Sequence, residues 1–241
     1  MKKNLKDKII IWLRKQVKEA KANGLVVGLS GGVDSSVVGA LAKEALGDKV
    51  LALILPCESR KESVEDARLI AGKFRIRNRT IDLTPVYNQL RKILPRGDRL
   101  SYGNLKPRLR MLTLYYFANK MNYLVAGTGN KSELMVGYFT KYGDGGVDLL
   151  PLGSLYKTGV RKLAKEIDIP EKIIYKTPSA GLWGGQTDEG EMGITYSELD
   201  KILAGLEKGN APKGERVEKV RLMVQKTEHK RNLPKIFCKD D

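Results

Sequence analysis

The stretch Leu25-Val26-Val27-Gly28-Leu29-Ser30-Gly31-Gly32-Val33-Asp34-Ser35-Ser36-Val37-Val38 is an apolar run that breaks into a Gly/Ser turn and restarts as a helical pattern. It predicts a strand, a tight loop and a helix in immediate succession. Gly31 and Gly32 let the backbone turn sharply and expose its amides, while Ser30, Ser35 and Ser36 add hydroxyls. The first helical turn contributes unpaired N–H groups at the positive end of its dipole, so an anion belongs there. No Gly-Lys-Ser/Thr follows the glycines and the G-x-G-x-x-G spacing is absent, which excludes the Walker A and dinucleotide fingerprints. Asp34 beside a phosphate nest calls for a bridging cation.

The chain of 241 residues, 41% hydrophobic, is long enough for one sizeable core and is expected to form one domain. It has no apolar run of membrane-spanning length and no apolar signal-peptide core behind its lysine-rich start, which implies a cytoplasmic protein without a membrane partner. Cys57 and Cys238 have neither motif spacing nor nearby histidines, so a metal would be held by oxygen. The formal charge of +16 is concentrated between Lys73 and Arg110, where Arg75, Arg77, Arg79, Arg91, Lys92, Arg96, Arg99, Lys106 and Arg108 face only Asp82 and Asp98. Such a segment suits an RNA face, a polyphosphate pocket or a solvated surface.

Periodicity predicts an amphipathic helix over residues 4–22, ended by Asn23-Gly24, and a helix after the loop that closes at Gly47. Val50 to Leu55 reads as a strand buried on both faces. A helix over 61–73, a strand over 79–83, a helix after Pro85 and an irregular segment over 95–103 follow. Residues 104–121 form a helix with two apolar stripes, Leu105, Leu109, Leu112 and Tyr116 on one and Met111, Leu114, Tyr115 and Ala118 on the other. The second stripe needs cover from the chain itself or from a second copy. A fourth strand spans Tyr123 to Ala126, and this alternation implies an α/β fold, a doubly wound parallel sheet with helices on both faces. If the first and fourth strands adjoin at the switch point, Asp34 and Glu133 reach one Mg²⁺. Residues 137–155 read as a functional loop, a helix follows to about Ile167, and 177–193 is irregular. Thr195 and Glu198 form a capping box for a helix stopping near Gly209, and the tail from His229 to Lys235 is basic.

The loop Ser30 to Ser35 resembles the pyrophosphate loop of the ATP pyrophosphatases, which cleave ATP between its α and β phosphates to adenylate a substrate. Five further stretches, Gly127 to Glu133, Gly137 to Gly145, Leu155 to Thr158, Pro178 to Trp183 and Gln186 to Glu189, resemble NAD synthetases and follow that family's order. The resemblance implies a Rossmann-like single domain of the adenine-nucleotide α-hydrolase type. It implies an ammonia-dependent ligase that adenylates deamido-NAD with ATP and lets ammonia displace AMP, commonly as a homodimer with active sites near the interface. Carried over by position, Gly28, Leu29, Ser30, Gly31, Gly32, Val33, Asp34 and Ser35 cradle ATP phosphates, and Asp34 and Glu133 hold Mg²⁺. Thr128, Lys157 and Ser179 contact ATP, with Lys157 offsetting charge on the leaving pyrophosphate. Arg108, Lys141, Asp148, His229 and Lys230 bind deamido-NAD, and Asp144 or Asp148 is a candidate acceptor for the ammonium proton. Residues before Gly24 have room for one helix, favouring free ammonia over an attached amidase. The rival reading is an RNA-adenylating enzyme, against which stand the lack of a motif-placed cysteine and of an RNA-binding module. A second alternative, a non-catalytic ATP sensor, does not need the leaving-group lysine.

Overall fold

The computed structural model describes residues 4–237; Cys238 lies outside them. In chain order the elements are α1 (Leu5–Glu19), β1 (Gly24–Gly28), α2 (Val33–Leu46), β2 (Val50–Ile54), α3 (Lys61–Lys73), β3 (Asn78–Thr80), α4 (Thr84–Ile93), α5 (Arg99–Met121), β4 (Tyr123–Ala126), α6 (Lys131–Val136), α7 (Lys157–Glu166), α8 (Glu171–Ile174), α9 (Asp188–Met192), α10 (Tyr196–Glu207), α11 (Glu215–Lys226) and α12 (Glu228–Arg231). The four strands form one parallel sheet in the order β3-β2-β1-β4. The expected doubly wound α/β architecture is therefore present, with β1 and β4 adjacent at the point where the order reverses.

Leu25, Val26, Val27 and all of β2 are buried because helices cover both sheet faces. One core lies between the sheet and α1, α2, α3 and α7; the other lies under α4 and α5. Each fully buried Val or Leu contributes about 1.5–3 kcal/mol, so these two apolar layers fix where the strand ends point. A third cluster joins α6, α9, α10 and α11.

Several boundaries differ from the sequence reading. Helix α1 stops at Glu19, Lys21 adopts φ +53°, and Gly24 is the first residue of β1 rather than the helix stop. The third strand covers only Asn78–Thr80, because Asp82 accepts from the Thr84 amide and hydroxyl and turns the chain into α4. Of the segment 95–103 read as irregular, residues 99–103 are the start of α5, capped by Asp98 accepting from the Ser101 amide at 2.7 Å. The helix runs through Pro107, whose missing N–H removes one internal bond. Its stripes also divide differently: Leu105, Leu109, Leu114 and Tyr115 pack inward, whereas Leu112 and Tyr116 are 65% and 61% exposed. Within residues 137–155, Leu149 bridges in parallel to Ala126, extending the sheet past β4. Helix α9 lies inside the second stretch read as irregular, and Glu198 directs its carboxylate to Arg216 while Thr195 caps α10.

Candidate active site

The loop after β1 is held open from within. Gly31 adopts φ +80°, and a Cβ there would meet the Ser63 carbonyl oxygen at 2.3 Å, so only glycine lets α3 pack against the turn. The Ser35 and Ser36 hydroxyls, expected to face an anion, are buried and donate back to the Gly32 carbonyl at 3.0 and 2.8 Å. Ser35 Oγ also accepts from the Ser30 amide at 3.2 Å. Gly32 caps α2 without a side-chain bond, which leaves the first-turn amides of α2 at the loop mouth.

Pairing of β1 with β4, Val27 opposite Ala126, places this mouth beside the segment 127–130, where Thr128 sits. Asn130 and Glu133 form a complete capping box at the start of α6. Asn130 Nδ2 also donates to Asp34 Oδ1 at 2.9 Å, tying the two strand ends together. Lys157, the first residue of α7 and 3% exposed, inserts its ammonium between both carboxylates, 2.5 Å from Asp34 Oδ2 and 3.2 Å from Glu133 Oε1. The Tyr196 ring lies under this ammonium at 4.9 Å, and its hydroxyl sits 3.1 Å from Asp188 Oδ2 and 3.4 Å from Glu133 Oε1.

The electrostatics follow from that packing. Burial raises the Glu133 carboxyl to about 7, with Lys157 opposing the rise and Asp34 adding to it. Burial alone would lower Lys157, but Asp34 and Glu133 outweigh it and hold the ammonium above its ordinary value. Burial also raises Asp188, whose Oδ1 is buried without a hydrogen-bond partner. Asp34 and Glu133 thus present hard oxygen donors around one positively charged point. Among the described residues no group of three or more His, Cys, Asp or Glu is arranged to hold a metal ion.

Most of the other predicted binding residues gather elsewhere. The Lys141 ammonium donates to the His229 carbonyl, and Arg108 approaches the Lys141 carbonyl at 3.5 Å. Lys230 donates to the Gly137 and Phe139 carbonyls at 2.7 and 2.8 Å, and burial lowers its pKa. This group closes the C-terminal end of α6, whereas Lys157 meets its N-terminal end. With 6 residues in α6, the two ends are about 9 Å apart. Asp148 stands apart from both: its Oδ2 accepts from the Val125 amide at 2.7 Å and its Oδ1 from the Tyr115 hydroxyl at 2.9 Å. Asp144 accepts from the Thr140 amide at 2.9 Å. Ser179 is exposed in the segment before α9, where its hydroxyl accepts from the Gly181 amide at 3.2 Å. That segment is fastened to α5, with Arg99 over the Trp183 ring at 4.3 Å. A Cβ on Gly103 would touch the same ring at 3.3 Å.

Asn130, Asp188 and Tyr196 had no role in the sequence reading. The Asn130/Glu133 spacing of a capping box was a readable signal for the first. Asp188 lies in the stretch Gln186 to Glu189 but carries no chemistry by itself there, and Tyr196 is indistinguishable from a core aromatic.

A family model described as NAD synthase matches residues 5–234. An NH(3)-dependent NAD(+) synthetase of Carboxydothermus hydrogenoformans is 51% identical, with 95% of each chain covered. Among solved structures, an NMN synthetase from Francisella tularensis is similar at TM-score 0.89 and 38% identity, with 96% of each chain covered. An NH3-dependent NAD synthetase from Campylobacter jejuni follows at TM-score 0.85 and 31% identity, with 97% of each chain covered. A phosphate-type loop, a lysine joined to two carboxylates at the switch point and these similarities together place the chain in the NAD synthase family.

Proposed function

We propose that this chain forms the nicotinamide amide of NAD from deamido-NAD, ATP and ammonia. Family membership makes it a C–N ligase that uses ATP. A nicotinate carboxylate has no group that ammonia can expel, so it is first activated. One carboxylate oxygen attacks the α-phosphorus of ATP, the bond to the bridging oxygen breaks, and pyrophosphate leaves. Ammonia then adds to the acyl carbon, loses a proton, and AMP departs with the electron pair.

The observation that carries this reading is the convergence of Lys157, Asp34 and Glu133 where the loop after β1 meets the end of β4. Ligands of parallel α/β sheets bind at such a switch point. We assign Gly28 to Ser35, Thr128 and Ser179 to ATP, and Lys157 to the charge on departing pyrophosphate. Asp34 and Glu133 suit Mg²⁺, which when bound neutralises phosphate oxygens. Arg108, Lys141, His229, Lys230 and Asp148 are assigned to deamido-NAD; the first four gather about one short helix length from Lys157, which supports placing the dinucleotide beyond the ATP phosphates. Ammonia as donor is supported by the names of relatives matched over 95% and 97% of their own length. The exposed Leu112 and Tyr116 on α5 support a homodimer whose second copy covers them; sedimentation velocity of the protein and of Leu112→Glu tests this.

The similarity to an NMN synthetase supports a second acceptor, the nicotinate mononucleotide. Purified protein is given ATP, Mg²⁺ and ammonium with either acceptor, and pyrophosphate, AMP and amide product are followed together. Equal amounts of all three with deamido-NAD support the first reading, and a preference for the mononucleotide supports the second. Pyrophosphate release only with tRNA overturns both.

A further inference from the structure

Helix α7 begins at Lys157, yet its N-cap residue, Tyr156, offers no side-chain acceptor to the first turn. Two side chains from other helices take that place. Ser132 of α6 accepts from the Lys157 amide at 2.9 Å, and Asp200 of α10 accepts from the Thr158 amide through Oδ2 at 2.9 Å. The other Asp200 oxygen, Oδ1, takes the Ser132 hydroxyl proton at 2.5 Å. A serine has one proton, so donating it to Asp200 turns its lone pairs toward the Lys157 amide. Asp200, Ser132 and Lys157 are all buried.

A buried carboxylate is costly unless it is well bonded. Helix α7 does not need one to dock, since Val160, Leu163 and Ala164 already pack it into the main core. The carboxylate lies at the positive end of α7, and its bonds end on Thr158 and, through Ser132, on Lys157. Ser132 also immediately precedes Glu133, so one clasp sets the starts of α6 and α7 against each other and with them the Lys157 to Glu133 contact.

We infer that Asp200, acting through Ser132, is a positioning residue that aims the Lys157 ammonium. The inference rests on the proposed role of Lys157. The test compares Asp200→Asn, Ser132→Ala and Lys157→Met, singly and combined, in the full chain. It reads kcat and KM for ATP from pyrophosphate release, and Tm for each protein. Asp200→Asn is expected to lower kcat about ten- to a hundredfold, as displacement of a positioned group by a fraction of an ångström does, and Ser132→Ala to lower it less. On the Lys157→Met background either change is expected to alter kcat less than about twofold, because both act through the same ammonium. A full, multiplicative loss on that background, or a lower Tm with kcat unchanged, overturns the inference. If Asp200→Asn does not fold, the Ser132→Ala cycle decides alone. If the unmodified chain releases no pyrophosphate, the functional reading fails separately. Positioning is then read from the ¹⁵N resonance of the Lys157 ammonium, which shifts in Asp200→Asn if the clasp aims it and stays in place if it does not.

Discussion

Lys157 Nζ lies 2.5 Å from Asp34 Oδ2, and the two residues come from the first turns of helices that face each other across the switch point. The ammonium occupies the space between Asp34 and Glu133, so a divalent cation held by that pair, as proposed above, would have to displace it. Replacing Lys157 by Met leaves those carboxylates without a positive partner. In Lys157→Met, Mn²⁺ without nucleotide is expected to bind about tenfold tighter or better, measured from the electron paramagnetic resonance of free Mn²⁺. The same variant is expected to lose at least about a hundredfold in kcat, because the charge assigned above to the departing pyrophosphate is gone. Unchanged Mn²⁺ affinity would place the metal elsewhere.

Glu133 predicts a pH dependence of stability. Burial holds its carboxyl at about 7 in the folded protein, against an ordinary 4.5. In that window the folded state keeps a proton that the unfolded chain has lost, so unfolding free energy falls as pH rises from 4.5 toward 7. Wild type minus Glu133→Gln should decline by about 2 kcal/mol between about pH 5 and 8, read from urea midpoints across pH. A constant difference would mean that Glu133 is ionised throughout.

Gly31→Ala combines a positive φ with a backbone oxygen 2.3 Å from the new methyl. Neither can relax without moving α3 from the loop. A loss of more than about 2 kcal/mol is expected, together with weaker ATP binding by calorimetry. Gly47→Ala is the control: it also has positive φ, but nothing lies within 4 Å of the added atom. It should cost about 1 kcal/mol and leave ATP binding unchanged.

Asp148 separates anchoring from proton transfer. Both of its oxygens already accept hydrogen bonds, from Tyr115 and Val125. Asp148→Asn is therefore expected to slow adenylation and ammonolysis by the same factor, measured in single-turnover experiments with and without ammonium. Selective loss of ammonolysis would instead make it the proton acceptor.

How much of this was legible in the sequence varied with the range of the physics involved. The strand, loop and helix around Gly31, the buried second strand and the parallel sheet follow from local periodicity and glycine chemistry, and they stand in the structure. The start of α5 was not legible, because the stretch from Pro95 to Gly103 reads as a run of breakers. Gly103 is in fact the flat seat of Trp183, 80 residues away in sequence. Asp34 and Glu133 pair on the assumption that the first and fourth strands adjoin, Lys157 is named by resemblance, and the joining of all three depends on that strand order. Asp200 and Tyr196 face the site from a helix whose pattern is simply amphipathic, so sequence alone offers no sign of what they touch.

The pair Lys157 and Asp34 is separated by 123 positions along the chain, and Tyr196 lies further still. Loop closure over such a span comes late in folding, after the local turns and helices have formed. During synthesis the phosphate loop emerges early, while the lysine and the helix that steadies it follow most of a chain length afterwards. A polypeptide that ends before α7 carries Asp34 and Glu133 but lacks the ammonium that joins them, so the ion pairs closing the switch point form only once most of the chain has been made.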